Sequence, residues 1–320
     1  MKAYAVILNY NSSSDCRKCV GDLQTQSDVD LAIVVVDNAS RPEERAAAEA
    51  LCRETGCTFI ANDENRGYNA GNNIGLRYAE KQGCEYALVV NPDMRFPQRD
   101  YLKKALQAMQ NDPTVAVLGT DILHYGGWHQ NPLPPDASWR GEAWESLSMP
   151  FRLLLRRLPP KETTLDFSCN GYCEKLSGCC LLLRMDFLRE IDFFDENLFL
   201  YCEEPVLAAQ VRQSRWKMYY LADAQAIHHH VAEEKGNSRK KMHLLYRSRI
   251  YYLRSYSGVS RWVLWWLVPL KLVSWYVIET MLQAHGFFRK THWGCLTWPF
   301  GLTDEMVNVL GHCRRGNKCR

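Results

Sequence analysis

The first 120 residues of this chain alternate short apolar runs with segments that have the spacing of amphipathic helices. The apolar runs predict strands at residues 3–9, 29–38, 57–62, 86–91 and 115–119. The segments between them predict helices at residues 15–26, 42–55, 69–82 and 97–110. Strands separated by helices are typical of a doubly wound α/β fold with a mainly parallel sheet. The apolar runs are continuous, so we expect helices to cover both faces of this sheet.

Polar side chains follow the first four predicted strands. In a parallel sheet the carboxyl ends of the strands meet at one edge, and ligands bind in the crevice beyond it. The candidate substrate-binding residues at that edge are Asn9, Asn11, Asp37, Asn38, Asn65, Arg66 and Asn91. In a nucleotide site the Asp37 carboxylate would accept hydrogen bonds from a base or a ribose. A strand-end aspartate also caps turns and helices, so this structural role remains an alternative.

Gly67, Gly71 and Gly75 recur every four residues around the start of the third predicted helix. Their lack of side chains would let the helix backbone approach either a strand or a ligand closely. The helix N-terminus near Asn69 also favours an anion. The spacing differs from GxGxxG, so the dinucleotide-binding fingerprint is absent.

The run LVVNPDM (residues 88–94) ends an apolar strand in Asn91, a proline and Asp93. Mg²⁺ is often held by one or two carboxylates together with substrate phosphates. One aspartate is therefore enough if a bound diphosphate supplies the other oxygens, and free metal should then bind weakly. A type I turn also explains Pro followed by Asp, but the position of Asp93 among the other polar strand ends favours the metal.

Glu203 and Glu204 begin a predicted helix. One of them could act as a general base that removes a proton from an acceptor hydroxyl, although acidic residues also suit a first helical turn for dipole reasons alone. His228, His229 and His230 close a predicted strand, and alternation places His228 and His230 on one face. Either face could offer a ligand to a metal or a phosphate.

Charge is distributed unevenly along the chain, whose net charge is +3. Residues 233–320 contain 15 Lys or Arg and 5 Asp or Glu (+10), which leaves 24 basic and 31 acidic residues (−7) for residues 1–232. We predict an α/β domain at 1–232 and a basic, aromatic, helical region at 233–320. Basic residues there alternate with Trp and Leu, which favours an anionic membrane surface over nucleic acid.

The longest apolar stretch, residues 262–282, has the length of a membrane span. Pro269, Lys271 and Glu279 interrupt it, and a charge at the centre of a bilayer is costly. Its aromatic residues and flanking arginines suit an amphipathic helix that lies in the membrane interface. A buried helix or the contact of a homodimer remains an alternative.

Six motifs follow one another along the chain: VILNYNSSSD, IVVVDNAS, ENRGYNAGNNIGL, LVVNPDM, LSGCCLLLR and FDENLFLYCEEPVLAAQVR. Through these motifs residues 3–230 resemble glycosyltransferase family 2, and within it the rhamnosyltransferase-like enzymes of bacterial O-antigen and capsule assembly. The resemblance implies a GT-A fold, which binds a nucleotide sugar and usually Mg²⁺ or Mn²⁺.

The resemblance also assigns binding residues by position. The residues that would hold the nucleoside and line the phosphate pocket are Asp37, Asn65, Arg66 and Asn72 or Asn73. Gly178, in the LSG motif, would border the donor sugar and the acceptor. Asp93 matches the last aspartate of the family's DxD-type metal motif, with Asn91 in place of the first carboxylate.

The catalytic assignments follow in the same way. Glu204 matches the usual catalytic base, although many members have aspartate there, so Glu203 remains an alternative. A second aspartate common two residues later is Val206 here. The histidine that follows the last strand matches His228 best, with His230 as the alternative metal ligand.

The resemblance implies inverting transfer by a single displacement from a nucleoside diphosphate sugar to a glycan or lipid-linked acceptor. The start of the chain lacks the features of a secretory signal, and we expect a cytoplasmic enzyme that is peripheral at the inner face of a bacterial inner membrane. Two other classes stay open. At Asn91, Glu204 and Val206 the sequence differs from the family's usual residues. These differences allow a catalytically silent sugar-nucleotide or glycan-binding protein. A nucleotidyltransferase is disfavoured because no glycine-rich, lysine-containing loop follows the first strand.

Overall fold

The computed structural model of the chain describes residues 2–154, 166–229 and 238–290. The chain forms two compact units. The first consists of Met1–Pro135 and Thr164–Val231, and the second of Asp136–Thr163 and Ala232–Arg320. The first unit carries the sheet, and the described part of the second is helical.

The strands are β1 (Lys2–Asn9), β2 (Asp30–Asn38), β3 (Thr58–Asn62), β4 (Tyr86–Val90), β5 (Met94–Arg95), β6 (Val115–His124), β7 (Gly171–Cys173), β8 (Cys180–Arg184) and β9 (Lys217–His228). The helices are α1 (Ser13–Gln24), α2 (Pro42–Thr55), α3 (Tyr68–Lys81), α4 (Tyr101–Asn111), α5 (Trp139–Leu154), α6 (Met185–Glu190), α7 (Glu203–Arg212), α8 (Ser238–Ser255) and α9 (Arg261–Lys290). Helices α5, α8 and α9 belong to the second unit.

The strands of the first unit form one sheet with the order β3-β2-β1-β4-β8-β6-β9-β5, and β7 pairs with β9. Strands β1 to β4 run parallel, with Val6 opposite both Val34 and Val89. Strand β8 runs antiparallel to β4 and β6, whereas β6 and β9 are parallel. The predicted α/β fold with a mainly parallel sheet is confirmed. The carboxyl ends of the first four strands therefore lie at one edge.

The valine-rich strands are buried on both faces because helices cover both. Ile7 and Val35 pack on one face with buried residues of α1, α2 and α4. Val6 and Val34 pack on the other face with buried residues of α3, α6 and α7. Each such side chain stabilises the fold by about 1.5–3 kcal/mol relative to an exposed one, which explains why the runs are continuously apolar.

The glycines of α3 allow a close approach to β1. A Cβ atom on Gly75 would lie 2.5 Å from Val6 Cγ1, and one on Gly71 would lie 2.5 Å from a β1 leucine side chain. These two glycines therefore serve the packing of helix against strand. Gly67 has a φ of +100°, and a Cβ there would lie 2.3 Å from the Phe199 carbonyl oxygen. Only glycine fits this conformation and this approach.

The structure differs from three further predictions of the sequence. The apolar run at 175–184 predicts a strand, but β8 begins only at Cys180, because the preceding residues turn around Gly178. The runs WKMYYL and AQAIHHH predict two short strands, but residues 217–228 form one strand, whose pairing with β6 continues past a bulge between Leu221 and Gln225. The turn-forming residues of 120–170 predict a long irregular excursion, but this segment contains the end of β6 and the whole of α5.

In the second unit α9 packs against α5 and α8. The rings of Trp139 and Trp266 are 5.9 Å apart, as are those of Tyr246 and Trp275. By length and composition, one helix in the described residues could cross a membrane: its segment Arg261–Met281 has a mean hydropathy of 1.2 and is 28% buried.

Candidate active site

Asp37 joins the ends of three neighbouring strands. Its side chain is fully buried. Asn9 Nδ2 donates to its Oδ1 at 2.9 Å, and its Oδ2 accepts the Ser40 backbone N–H at 3.2 Å and pairs with Arg45 Nε at 3.0 Å. Arg45 also donates to the carbonyl of Asn62 at the end of β3. Asp37 thus fixes the loop that follows β2.

Asn38 ties this edge to the start of α3. Its Nδ2 donates to Asn65 Oδ1 at 3.0 Å and to the Gly67 carbonyl at 3.2 Å. Asn11 has a φ of 54°, and its Oδ1 accepts the backbone N–H of Arg41 at 2.8 Å. These predicted substrate-binding residues shape the loops at the sheet edge through contacts within the protein.

Arg66 presents a positive charge at this edge. Its side chain is 58% exposed, with carboxylates only at 3.7 Å (Glu64) and 3.6 Å (Glu196). Long pairs of exposed groups are weak, so the guanidinium is accessible to an anionic ligand. Asn91, at the end of β4, is half-buried, and its backbone N–H donates to the Cys179 carbonyl at 2.8 Å.

The three asparagines of α3 make their contacts inside the protein. Asn73 Nδ2 donates to the Phe194 carbonyl at 2.8 Å, and its Oδ1 accepts the Phe194 N–H at 3.0 Å. Asn69 Nδ2 donates to the Asp195 carbonyl at 2.8 Å, and Asn72 Nδ2 bonds the α3 backbone. The buried side-chain oxygens of Asn69 and Asn72 accept no hydrogen bond from the described residues. The helix therefore fastens the segment that leads to α7.

Asp93 and His228 lie side by side because β5 pairs with the end of β9. Asp93 Oδ2 is 3.1 Å from His228 Nε2, and His228 Nδ1 is 2.8 Å from Gln130 Oε1. The Gln130 side-chain oxygen can only accept a hydrogen bond, so Nδ1 of a neutral His228 must carry the proton. The lone pair of Nε2 then faces Asp93. A carboxylate oxygen and an imidazole lone pair that face each other need a cation or a proton between them.

This pair fits a divalent cation. A separation of 3.1 Å is close to the distance between neighbouring ligands of an octahedral ion with bonds of about 2.1 Å. Among the residues that the structure describes, no cluster of three or more His, Cys, Asp and Glu side chains could hold a metal. A bound diphosphate would then have to supply the remaining oxygens. His230, the alternative ligand, lies outside the described residues.

Glu203 and Glu204 begin α7 beside Gly178. A Cβ on Gly178 would lie 3.2 Å from Glu203 Cγ, and the Gly178 N–H points to Glu204 Oε1 at 3.5 Å. Glu203 Oε2 is shielded from solvent and accepts no hydrogen bond from the part of the chain described. Burial, and next the neighbouring Glu204 carboxylate, raise the pKa of Glu203 to about 8. Glu203 therefore holds a proton at neutral pH.

The two acidic groups border the same part of the sheet edge. Cys179 precedes β8 and is buried next to the end of β4. Burial is the main cause that raises the pKa of its thiol, and the charges of Asp93 and Glu204 raise it further. Cys179 is therefore close enough to both Asp93 and Glu204 to respond to their charges, so the two carboxyl groups lie near the same short stretch of backbone.

Three supporting residues escaped the sequence-based prediction. The Tyr68 hydroxyl donates to the Gly178 carbonyl at 2.7 Å. Burial, followed by the charge of Glu203, raises the pKa of Tyr68 well above its usual value. Arg45 supports the aspartate of β2, and Gln130 orients the histidine of β9. Tyr68 and Gln130 act on residues far away in the sequence, so no local pattern marks them.

The order and directions of the strands are those of the GT-A fold that the sequence resemblance implies. Solved structures agree. The mannosyltransferase PcManGT from Pyrobaculum calidifontis, in complex with GDP-Man and Mn²⁺, superposes with a TM-score of 0.54 at 14% identity, over 96% of this chain and 84% of that one. GalNAc-T7 with UDP, GalNAc and Mn²⁺ gives 0.58 at 12% identity, over 79% of this chain and 48% of that one.

Residues 4–191 match the family model of glycosyl transferase family 2, and the chain belongs to this family. The low-salt glycan biosynthesis hexosyltransferase Agl10 of Haloferax volcanii is 26% identical over 258 residues, 80% of this chain and 76% of that protein. The N-acetylglucosaminyl-diphospho-decaprenol L-rhamnosyltransferase of Mycobacterium tuberculosis is 22% identical over 89% of this chain and 92% of its own length. Rhamnosyltransferase WbbL of Escherichia coli K12 is 23% identical over 80% and 97%.

Proposed function

We propose that this chain is an inverting glycosyltransferase that moves rhamnose or another hexose from a nucleoside diphosphate sugar to a hydroxyl of a glycan or lipid-linked acceptor. The observation that carries the proposal is the Asp93–His228 pair at the same sheet edge as Glu203 and Glu204. One pair suits a cation that binds a diphosphate, and the other suits proton removal. The Mn²⁺ and GDP-Man bound by the mannosyltransferase of the same fold support this reading.

Glu204 is the general base in this proposal. Glu203 keeps its proton near neutral pH because its pKa is raised to about 8, so the negative charge of the pair resides on Glu204. Glu204 takes the proton of the acceptor hydroxyl, whose oxygen forms a bond to the anomeric carbon. The bond from that carbon to the diphosphate oxygen breaks, and its electron pair leaves with the nucleoside diphosphate. Attack from the opposite face inverts the configuration.

The donor side is held by the sheet edge. A divalent cation, Mg²⁺ or Mn²⁺, bound by Asp93 and His228 would neutralise the departing diphosphate. Gln130 keeps His228 in the tautomer that can ligate, and the exposed Arg66 adds positive charge for the phosphates. The oxygens of the buried Asp37 already bond protein groups, so this residue would act by holding the loop that receives the nucleoside.

The acceptor is proposed to be a membrane-linked glycan in cell-surface polysaccharide assembly, at the cytoplasmic face of a bacterial inner membrane. The relatives with the names rhamnosyltransferase WbbL and N-acetylglucosaminyl-diphospho-decaprenol L-rhamnosyltransferase support this class of acceptor. The aromatic and basic helices of the second unit support the membrane location.

The test uses the purified full-length chain with uridine, guanosine and thymidine diphosphate sugars, in Mn²⁺, Mg²⁺ or EDTA. Thermal shift measures donor binding, and release of nucleoside diphosphate measures turnover. Glu204→Gln should keep the thermal shift and lose about 10²–10⁴-fold in turnover, the usual contribution of a general base. Asp93→Asn should lose the metal-dependent part of the shift. Glu85→Gln, an exposed glutamate just before the other end of β4, should change neither.

Other outcomes separate the remaining classes. If no donor stabilises the protein, the proposal is wrong. Stabilisation without turnover on any acceptor or water would favour a silent sugar-nucleotide-binding protein. Formation of a nucleotide sugar from a nucleoside triphosphate and a sugar phosphate would indicate a nucleotidyltransferase. Tight metal binding in the absence of donor would contradict the two-ligand site at Asp93.

A further inference from the structure

Helix α9 turns one apolar face to solvent. Trp262, Trp265 and Tyr276 are 85%, 78% and 68% exposed, and Leu272 and Val273 are exposed with them. At 3.6 residues per turn these five side chains lie within an arc of about 100°. This set, the α9 exposed face, is too extended to be a chance scatter of single surface residues, and such patches mark interaction sites.

The opposite side of α9 is buried within the second unit. Leu267, Lys271 and Ile278 lie on that side, and each is at most 5% exposed. Lys271 Nζ is 2.6 Å from Glu142 Oε2 on α5, and Arg249 of α8 pairs with the same carboxylate. The charge that interrupts the apolar sequence of α9 is therefore turned inward and neutralised.

The Glu142 carboxylate stays charged in this cluster. Burial raises its pKa, but the hydrogen bond and charge of Arg249 and the charge of Lys271 more than offset burial, so the pKa lies below its usual value. The pair therefore remains ionic, and it joins α5 to α9 through the faces that they turn to each other. The α9 exposed face then points away from α5.

The sequence that contains the α9 exposed face is mostly basic. Residues 238–278 contain no acidic residue, and Glu279 follows them. The exposed basic residues among those described there are Lys241, Arg247, Arg254 and Arg261. Tryptophan and tyrosine prefer the headgroup region of a bilayer, and Lys and Arg next to them attract anionic lipids.

We propose that the α9 exposed face lies on the surface of an anionic bilayer, with the helix axis in the plane of the membrane. A membrane span is disfavoured because lipid would have to replace α8, a charged helix whose Tyr246 packs on Trp275 of α9. A second copy of the same face would bring like charges together. The inference deepens the membrane location proposed above, but the surface belongs to the second unit alone, so the inference does not rest on the proposed sugar transfer.

The test measures flotation of the full-length chain with phosphatidylcholine vesicles that contain or lack phosphatidylglycerol. We expect binding to the anionic vesicles only. Salt at 1 M should weaken it, because the Debye length falls from about 10 Å at 0.1 M to about 3 Å. The combined variant Trp262→Ser, Trp265→Ser and Tyr276→Ser should bind at least about tenfold less, since its apolar insertion is lost.

The chain offers a matched control on α5. Trp144, Leu147 and Phe151 are 64%, 60% and 63% exposed and follow one another at helical spacing. They lie on the side of α5 opposite Glu142, and therefore away from α9. Their combined replacement by serine should leave vesicle binding within about twofold of wild type. Circular dichroism should show unchanged helix content in both triple variants, because all six side chains are exposed.

Several outcomes would overturn the inference. Undiminished binding of the α9 triple variant would do so, as would loss of binding in the α5 triple variant instead. Retention on vesicles after an alkaline carbonate wash would indicate a membrane span. A wild-type dimer that binds no vesicles and becomes monomeric in the α9 triple variant, measured by light scattering, would make this face a contact between copies.

Discussion

Glu203 should hold a proton in the folded protein that it releases on unfolding, and the variant Glu203→Gln tests this. The pKa of this carboxyl is raised from 4.5 to about 8 by burial and by the charge of Glu204. Between these two values the folded state binds one more proton than the unfolded state. The stability contributed by the protonated group is thus fully present below 4.5 and is lost as the pH rises to about 8.

The size of the effect follows from this linkage. The free energy of unfolding of the wild type should fall relative to that of the variant by about 1.4 kcal/mol per pH unit in that window. From pH 5 to pH 7 the difference amounts to roughly 2–3 kcal/mol. Glutamine resembles the protonated acid in shape but does not titrate. The variant should therefore be close to wild type at pH 5 and more stable than wild type at pH 7.

Urea unfolding of both proteins at pH 5, 6 and 7 measures this difference, and the titrating groups far from Glu203 cancel in it. Glu43→Gln is the control, since the Glu43 side chain is 66% exposed. Its difference from wild type should stay constant over the same pH range. If the difference in free energy of unfolding between Glu203→Gln and wild type stays constant from pH 5 to pH 7, Glu203 ionises like a surface carboxylate. The assignment of the base to Glu204 would then lose its physical basis.

Two further predictions concern packing. Gly75→Ala should lower the free energy of unfolding by about 1–3 kcal/mol because the new Cβ has no room against β1. Gly21→Ala in α1 should raise the free energy of unfolding by about 0.5–1 kcal/mol, because a Cβ there would meet nothing within 4 Å. Urea unfolding compares the two, and equal effects would refute the close helix–strand contact. Glu142→Gln should cost about 3–5 kcal/mol because it leaves the buried Lys271 ammonium without the carboxylate that pairs with it. Lys271→Met should cost less because Arg249 still pairs with the Glu142 carboxylate. Thermal unfolding compares the two variants, and a lower Tm for Lys271→Met than for Glu142→Gln would contradict this.

The parts of the fold that local chemistry determines could be predicted from the sequence. Helix α2 runs from Pro42 to Thr55 as predicted, because proline suits the first turn and Gly56 ends the helix at a φ of 72°. The parallel register also places Asn9 opposite Asp37 as expected from strand ends that meet at one edge. Both conclusions need only short stretches of chain.

Features that depend on distant partners could not be predicted. Helix α5 lies in a segment whose Pro and Gly content predicts irregular structure, and the cations that compensate its buried Glu142 come from the distant helices α8 and α9. A side-chain amide such as that of Asn73 can hydrogen-bond a ligand or the backbone equally well. Only the fold shows that the Asn73 amide nitrogen and oxygen both bond to the backbone of Phe194. The sequence also holds no sign that Gln130 would orient the histidine of β9.

The attachment of α3 to the segment before α7 has a consequence for how acceptor preference can change. Gly67 fits under the Phe199 carbonyl, Tyr68 N–H donates to that carbonyl, and Asn73 holds Phe194. The segment ends at the two glutamates that would activate the acceptor, so its course depends on residues of the helix. If residues 192–204 were replaced by those of a relative, the new segment would lack the α3 residues of that relative that hold it in place. The smallest piece that can be exchanged between relatives therefore includes residues 66–75 as well, and the two stretches should vary together.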